Sequence, residues 1–219
     1  MNHLDDAVTK KKSSRGMDNV STDNTDSISA DNTDNLSMDN TDTVSTDNTD
    51  SISTDNMDDT GYSSAAERLV AVLRERRLLI TTVESCTGGG IASGIIDVPG
   101  ASDVLKEAFI TYCDEAKHKL VGVKKKTLRK YTAVSPQVCR QMAKGGARTA
   151  KADLCLSATG VAGPGGTEEF PAGLVYLGCC FDGRCEVRKY NFTGSRNEVR
   201  RQAVRESLNL ALSCLGVAP

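Results

Sequence analysis

Ser85 stands between a run of apolar and β-branched residues and three consecutive glycines, Gly88 to Gly90. That position suits a nucleophile. The hydroxyl would sit at the end of a strand, and the N–H groups opening the next helix could hold a developing oxyanion. A serine nucleophile needs a base, and histidine is scarce: His3 lies in an N-terminal tail, and His118 is the only other one. A Ser-His-Asp or Cys-His arrangement would therefore have to use His118. Lysine can serve instead when burial or a nearby cation keeps its amine neutral. Cys86 is a rival nucleophile, but with no histidine close in sequence its thiolate is disfavoured. The residues alone also leave a plainer alternative open, in which Ser85 or Thr87 only caps the helix and the glycines only turn the chain.

The composition is not uniform along the 219 residues. Residues 1–60 hold fourteen Asp, no Glu, four Lys or Arg, no Cys and no Phe or Trp, a formal charge of −10, which leaves the rest at about +8. From Ser21 the chain repeats every eight residues, as STDNTDSI, SADNTDNL, SMDNTDTV and STDNTDSI, decaying to STDNMDD. One Ile, Leu or Val per octad makes neither a helical stripe nor a strand face, so residues 1–61 are expected to be a disordered acidic tail, with the repeat over 21–59. The Asp-rich units lack the glycine and the terminal glutamate of an EF-hand loop, so no calcium site is expected. The tail's partner is not legible. No apolar run suggests a signal peptide or a membrane span, and the eight cysteines lack metal or redox spacing. A cytosolic chain with reduced, mostly packed thiols and no membrane partner is the reading. The basic surplus suits an anionic ligand, and without aromatic stacking motifs no nucleic-acid partner is expected.

The elements that must position Ser85 follow from periodicity and turn chemistry. Ser64 and Glu67 read as a capping box for a helix ending near Arg77. Leu78–Val83 reads as a buried strand, and Ile91–Val98 as the helix after the glycines. Ala108–Cys113 is a strand and Asp114–Leu120 a short helix. Ser135-Pro136 starts a helix that runs to about Ala150. Asp153–Ala158 is a strand leading into the loop Thr159-Gly160-Val161-Ala162-Gly163-Pro164-Gly165-Gly166. Strands Gly173–Phe181 and Arg184–Phe192 meet at Asp182-Gly183, a two-residue hairpin turn. A closing helix begins after Ser195 with Val199, Ala203, Val204, Leu208, Leu212 and Leu215 inside. Helices alternating with strands and one hairpin predict a single α/β domain over 62–217, a three-layer α/β/α sandwich around a mixed sheet.

Several segments stand in a telling order: ESCTGGG (84–90), YCDEAKHKLVGV (112–123), AVSPQV (133–138), ATGVAGPGG (158–166), EEFPAGLVYLG after it, and NFTGSRNEVRRQAV (191–204). Together they resemble the successive motifs of the CinA C-terminal family, the nicotinamide mononucleotide deamidases, over nearly all of 62–217. The resemblance implies hydrolysis of nicotinamide mononucleotide to nicotinic acid mononucleotide and ammonia by a Ser-Lys pair, with no metal and no cofactor. By motif position the serine is Ser85 and the lysine Lys117, with Tyr112 orienting the lysine or the ligand. Thr87, Gly88 and Gly89 would supply oxyanion and substrate contacts. Thr159, Gly160 and Gly163 would lie against the nucleotide, and Arg196, Arg200 or Arg201 would neutralise its phosphate. Family members commonly self-associate, so a homo-oligomer is expected. Many members have Asn where this chain has Asp114, a carboxylate expected to raise the pKa of Lys117.

Overall fold

A continuous apolar strand buried on both faces needs helices on both sides, and this chain supplies them. The computed structural model describes residues 60–218. The expected acidic tail up to residue 59, with all its octads, lies outside the described residues, whereas Thr60 and Gly61 belong to the first helix. The element order is α1 (Thr60–Arg76), β1 (Ile80–Glu84), α2 (Gly90–Ile96), a 3-10 turn (Ala101–Asp103), β2 (Leu105–Ile110), α3 (Asp114–Val121), α4 (Lys125–Tyr131), α5 (Pro136–Ala150), β3 (Leu154–Gly160), β4 (Leu174–Phe181), β5 (Arg184–Asn191) and α6 (Arg196–Cys214).

The sheet order is β2-β1-β3-β4-β5. β1 pairs parallel with β2 and β3, whereas β3-β4 and β4-β5 are antiparallel, so the sheet is mixed as expected. The helices α1, α2 and α6 share one core with Leu154, Leu156, Leu177 and Cys179 of the sheet. On the other face α5 packs against β1, β3, β4 and β5, with Val83, Met142 and Cys155 buried there. Two apolar layers on opposite faces make the three-layer α/β/α sandwich.

Local chemistry sets the ends of these elements. The Ser135 hydroxyl accepts the Val138 N–H with Pro136 opening α5, and Ser195 and Glu198 form a reciprocal capping box at α6. Asp182 and Gly183 both take positive φ, 48° and 72°, as the tight hairpin turn requires. Gly145 and Gly146 let α5 lie close. A Cβ at Gly146 would come 2.3 Å from Val83, and one at Gly145 only 1.9 Å from the Val121 carbonyl oxygen.

Three expectations need correction. Helix α1 begins at Thr60 and passes through the Ser64 position, and the Ser63 hydroxyl bonds Glu67 instead. Helix α4, whose seven residues bury Thr127 and Leu128 on an otherwise basic segment, was not anticipated because its apolar stripe is too narrow to read. Two of the eight cysteines are not reduced: Cys180 and Cys185, directly opposed across the β4-β5 hairpin with Cα atoms 4.1 Å apart, form a disulfide. Cys86, Cys139, Cys155 and Cys179 are buried free thiols, as packing thiols would be. Among the described residues no helix is long and apolar enough to cross a membrane.

Candidate active site

The parallel strands β1, β2 and β3 end side by side, and the chain leaves β1 toward one face of the sheet and β2 toward the other. Such a divergence opens a crevice at the carboxyl ends of the strands, where ligands of open α/β sheets bind. Ser85 is the first residue past β1, and its N–H continues the ladder by donating to the Ala158 carbonyl at 2.9 Å. Lys117, on α3 beyond β2, reaches back over the strand ends. Its Nζ lies 3.1 Å from Ser85 Oγ and donates to the Thr111 carbonyl at 2.8 Å.

Lys117 is only 1 % exposed and Ser85 8 %, and no carboxylate bonds the amine. Burial therefore lowers the lysine pKa, because the charged form loses its water. Asp114, exposed in the first turn of α3, acts in the opposite direction as expected from the sequence, but burial is the larger effect. The net direction favours a neutral amine beside a serine hydroxyl. Cys86, the rival nucleophile, is buried with its thiol pushed up to about 12, again chiefly by burial. His118 takes no part: its ring Nδ1–H donates to the Val123 carbonyl at 2.8 Å.

What fixes Ser85 is a residue that the sequence reading passed over. The Glu84 side chain is fully buried and accepts four hydrogen bonds, from Thr82 Oγ1 and the Ala92 N–H at 2.9 Å on one oxygen, and from the Gly89 and Ile91 N–H groups at 3.0 Å on the other. It caps α2 from within the preceding strand, placing a negative charge at the positive end of that helix. A capping search looks for Ser, Thr, Asp or Asn just before the helix, whereas Glu84 lies six residues ahead of Gly90. The only available signal was a carboxylate in an otherwise uncharged buried strand, which must have found donors.

The glycine turn consequently differs from its expected use. Gly88 N–H donates to the Ser85 carbonyl at 3.1 Å, and Gly89 N–H is held by Glu84, so neither is free to meet an oxyanion. Both glycines have positive φ, 62° and 94°, which the turn requires. The Cys86 and Thr87 N–H groups act only to lower the Cys86 thiol's pKa, against the larger effect of its burial. Among the described residues neither of these two donates to a backbone carbonyl. The Thr87 side chain is fully buried with its hydroxyl unpartnered, and its carbonyl accepts from Arg200 Nη2 at 2.8 Å and Nε at 3.3 Å. Arg200 thus clasps the serine turn from α6 and does not line the cleft.

Ser85, Cys86, Tyr112, Lys117, Thr159, Gly160, Gly163 and Arg196 together line a cleft of about 340 Å³, completed by Ala133, Val134 and the rest of the second glycine loop. A cleft of this size falls within the range for small-molecule sites. Tyr112, 64 % exposed, does not reach the lysine; its hydroxyl accepts from Arg196 Nη2 at 3.1 Å, while Arg196 Nη1 donates to the Gly163 carbonyl at 2.7 Å. That link ties α6, the glycine loop and the segment after β2 into one wall. Thr159 is anchored behind it, donating to the Ala133 carbonyl at 2.8 Å. A larger hollow of about 460 Å³ lies at the opposite end of the sheet around Leu78, Arg148 and Phe181, but holds no paired nucleophile and base. Among the described residues no three His, Cys, Asp or Glu side chains gather as a metal site would require.

Residues 62–215 match the model of the CinA C-terminal domain. The chain belongs to that family. This CinA domain is 46 % identical over 159 residues to a competence-damage inducible protein of Clostridium acetobutylicum, covering 68 % of this chain and 39 % of that protein. It is 47 % identical over 156 residues to a CinA-like protein of Kosmotoga olearia, covering 71 % and 38 %. The chain thus spans under two fifths of the length of these relatives. Among solved structures it resembles the competence/damage inducible protein CihA of Agrobacterium tumefaciens (34 % identity, TM-score 0.69, 70 % of this chain and 94 % of that one). It likewise resembles a competence-damaged protein (CinA) superfamily member of Escherichia coli (34 %, TM-score 0.68, 73 % and 93 %). In this CinA domain the motif carrying the serine and the motif carrying the lysine, far apart in sequence, meet at one floor of one cleft.

Proposed function

We propose that this CinA domain hydrolyses the carboxamide of nicotinamide mononucleotide, giving nicotinic acid mononucleotide and ammonia. The observation that carries the proposal is the buried Lys117 amine 3.1 Å from Ser85 Oγ at the floor of a nucleotide-sized cleft. A base within hydrogen-bond reach and of lowered pKa is what a serine nucleophile needs. Lys117 takes the Ser85 proton as the oxygen attacks the carboxamide carbon, and the Thr111 carbonyl keeps the amine aimed. The N–H groups of Cys86 and Thr87, rather than the glycines, stabilise the oxyanion, as the residue following a nucleophile commonly does. Lys117 then delivers the proton to departing ammonia, and water releases the acyl group from Ser85.

Arg196 lines the same cleft and supports an anionic substrate, its guanidinium being suited to a phosphate. The same reading makes the enzyme cytosolic and self-associating. The test is ammonia release from nicotinamide mononucleotide by the full chain, beside Ser85→Ala and Lys117→Ala. Turnover that both substitutions abolish, with folding retained, supports the proposal. Nucleotide binding without turnover in the unsubstituted chain would instead assign a binding module of the same fold.

A further inference from the structure

The cysteines beyond the cleft are arranged in two sets on opposite faces of β4. Cys180 points toward α5 and is joined to Cys185. Cys179, its neighbour, points the other way, into the core beneath α6, and is fully buried. Its partner in register on β5 is Glu186. At the end of α6, the half-buried Cys214 brings its sulfur to 3.9 Å from Glu186 Oε2. Residues directly opposed in a sheet share a face, so Cys214 lies over the Cys179–Glu186 pair. Cys214 packs against the apolar core that holds Cys179, and its thiol donates to the Glu186 carboxylate. Arg188 sits beside them, bonding Glu186 at 2.6 Å and the Ser213 hydroxyl at 3.2 Å.

We propose that Cys214 and Cys179 form an oxidisable dithiol, in which Cys214 is the site that peroxide attacks and Cys179 the thiol that resolves it. This does not rest on the deamidase reading. Three features make a reactive site of it: a half-buried sulfur at the end of α6, a second thiol in the core it packs against, and a guanidinium close by. The neighbouring Cys179 thiol is the main cause that lowers the Cys214 pKa, with Arg188 also lowering it and burial and Glu186 opposing, whereas Cys179 is held far up. The difference in burial assigns the roles: Cys214 is partly open to solvent and Cys179 is fully buried, so peroxide meets Cys214 first.

The chemistry balances with hydrogen peroxide as the oxidant. Cys214 thiolate attacks one peroxide oxygen; the S–O bond forms, the O–O bond breaks, and hydroxide leaves, taking up the proton that Cys214 released. The Cys179 sulfur then attacks the Cys214 sulfenic acid; an S–S bond forms, the S–O bond breaks, and the hydroxyl leaves with the Cys179 proton as water. Two thiols lose two electrons and peroxide becomes two waters. The new bond would staple the last turn of α6 to the centre of β4.

The experiment treats the full chain with a small excess of hydrogen peroxide, counts free thiols after denaturation, and maps the peptides. The count is expected to fall from six to four, with the loss appearing as peptides joined between Cys179 and Cys214. Cys179→Ser should instead give a Cys214 sulfenic acid that dimedone traps, and Cys214→Ser should keep its five remaining free thiols under the same treatment. Modification of the exposed Cys113 before Cys214, a bond from Cys214 to another cysteine, or no dimedone adduct in Cys179→Ser would each overturn the proposal.

Discussion

Replacing Glu84 with glutamine keeps the shape of the side chain and removes one of two acceptor oxygens. Each oxygen holds two donors, Thr82 and Ala92 on one and Gly89 and Ile91 on the other. The amide therefore forfeits two hydrogen bonds and turns its own N–H groups toward two buried donors. Hydrogen bonds to a charged group contribute about 1.5–3 kcal/mol each, so the loss is about 3–6 kcal/mol. Relief from burying a carboxylate offsets part of this, leaving about 2–4 kcal/mol net. For a domain of this size, that corresponds to a fall in Tm of roughly 5–15 °C. The assay is thermal unfolding of Glu84→Gln beside Glu75→Gln, an exposed carboxylate on α1 that should leave Tm unchanged. Turnover should drop further than stability, because the Gly89 turn that fixes Ser85 loses its anchor, while the cleft walls and hence KM change little. A Glu84→Gln Tm within a degree or two of the unsubstituted chain would refute the capping role.

Three further expectations follow from individual contacts. Because the neutral amine is the base, kcat/KM should rise with pH through the lowered Lys117 pKa, and Asp114→Asn, which removes a charge that raises that pKa, should move the rising limb to lower pH; a pH–rate profile checks this, and a limb that stays put or moves up contradicts it. The folded-state pKa lies below the ordinary 10.5, so the native chain binds that proton less readily than the unfolded one, and stability rises with pH across the window between the two values. Lys117→Met should accordingly be inactive yet more stable, with the gain largest below the native pKa and shrinking as pH approaches 10.5, which urea titrations at several pH values would show. Gly145→Ala puts a Cβ into the Val121 carbonyl at the end of α3, so it should cost about 1–3 kcal/mol and, by displacing the helix that bears Lys117, lower kcat more than its stability loss explains. Unimpaired turnover in that variant would show that the α3–α5 approach does not set the dyad.

Much of the frame was readable because each signal was local. Ser135-Pro136, the helix start after Ser195 and Asp182-Gly183 follow from local residue chemistry, and the structure has the helix starts and the hairpin turn where those residues stand. The site was readable only through its motifs. Nothing in the spacing of Ser85 and Lys117 announces a 3.1 Å contact, which arises because β1 and β2 are parallel neighbours whose chains leave toward opposite faces. The parts that escaped depend on tertiary partners. Glu84 looks like a charge in a strand until the N–H groups of Gly89, Ile91 and Ala92 fold onto it. Arg200 looks like a phosphate ligand until Thr87 is seen to occupy it, and Tyr112, read as orienting the lysine or the ligand, lines the cleft with its hydroxyl on Arg196. The Cys180–Cys185 bond depends on the hairpin register, which a turn alone suggests but does not fix.

The central claim is that Ser85 is a nucleophile activated by Lys117, and it can be tested without any assumption about the substrate. A fluorophosphonate, which reacts fastest with an activated serine, is incubated with the full chain across a range of pH, and the modified peptide is mapped. The account predicts a single adduct at Ser85, forming faster as pH rises, absent in Ser85→Ala and slowed by about a hundredfold or more in Lys117→Met. An adduct elsewhere, no adduct at all, or labelling of Ser85 at an undiminished rate without the lysine would contradict it.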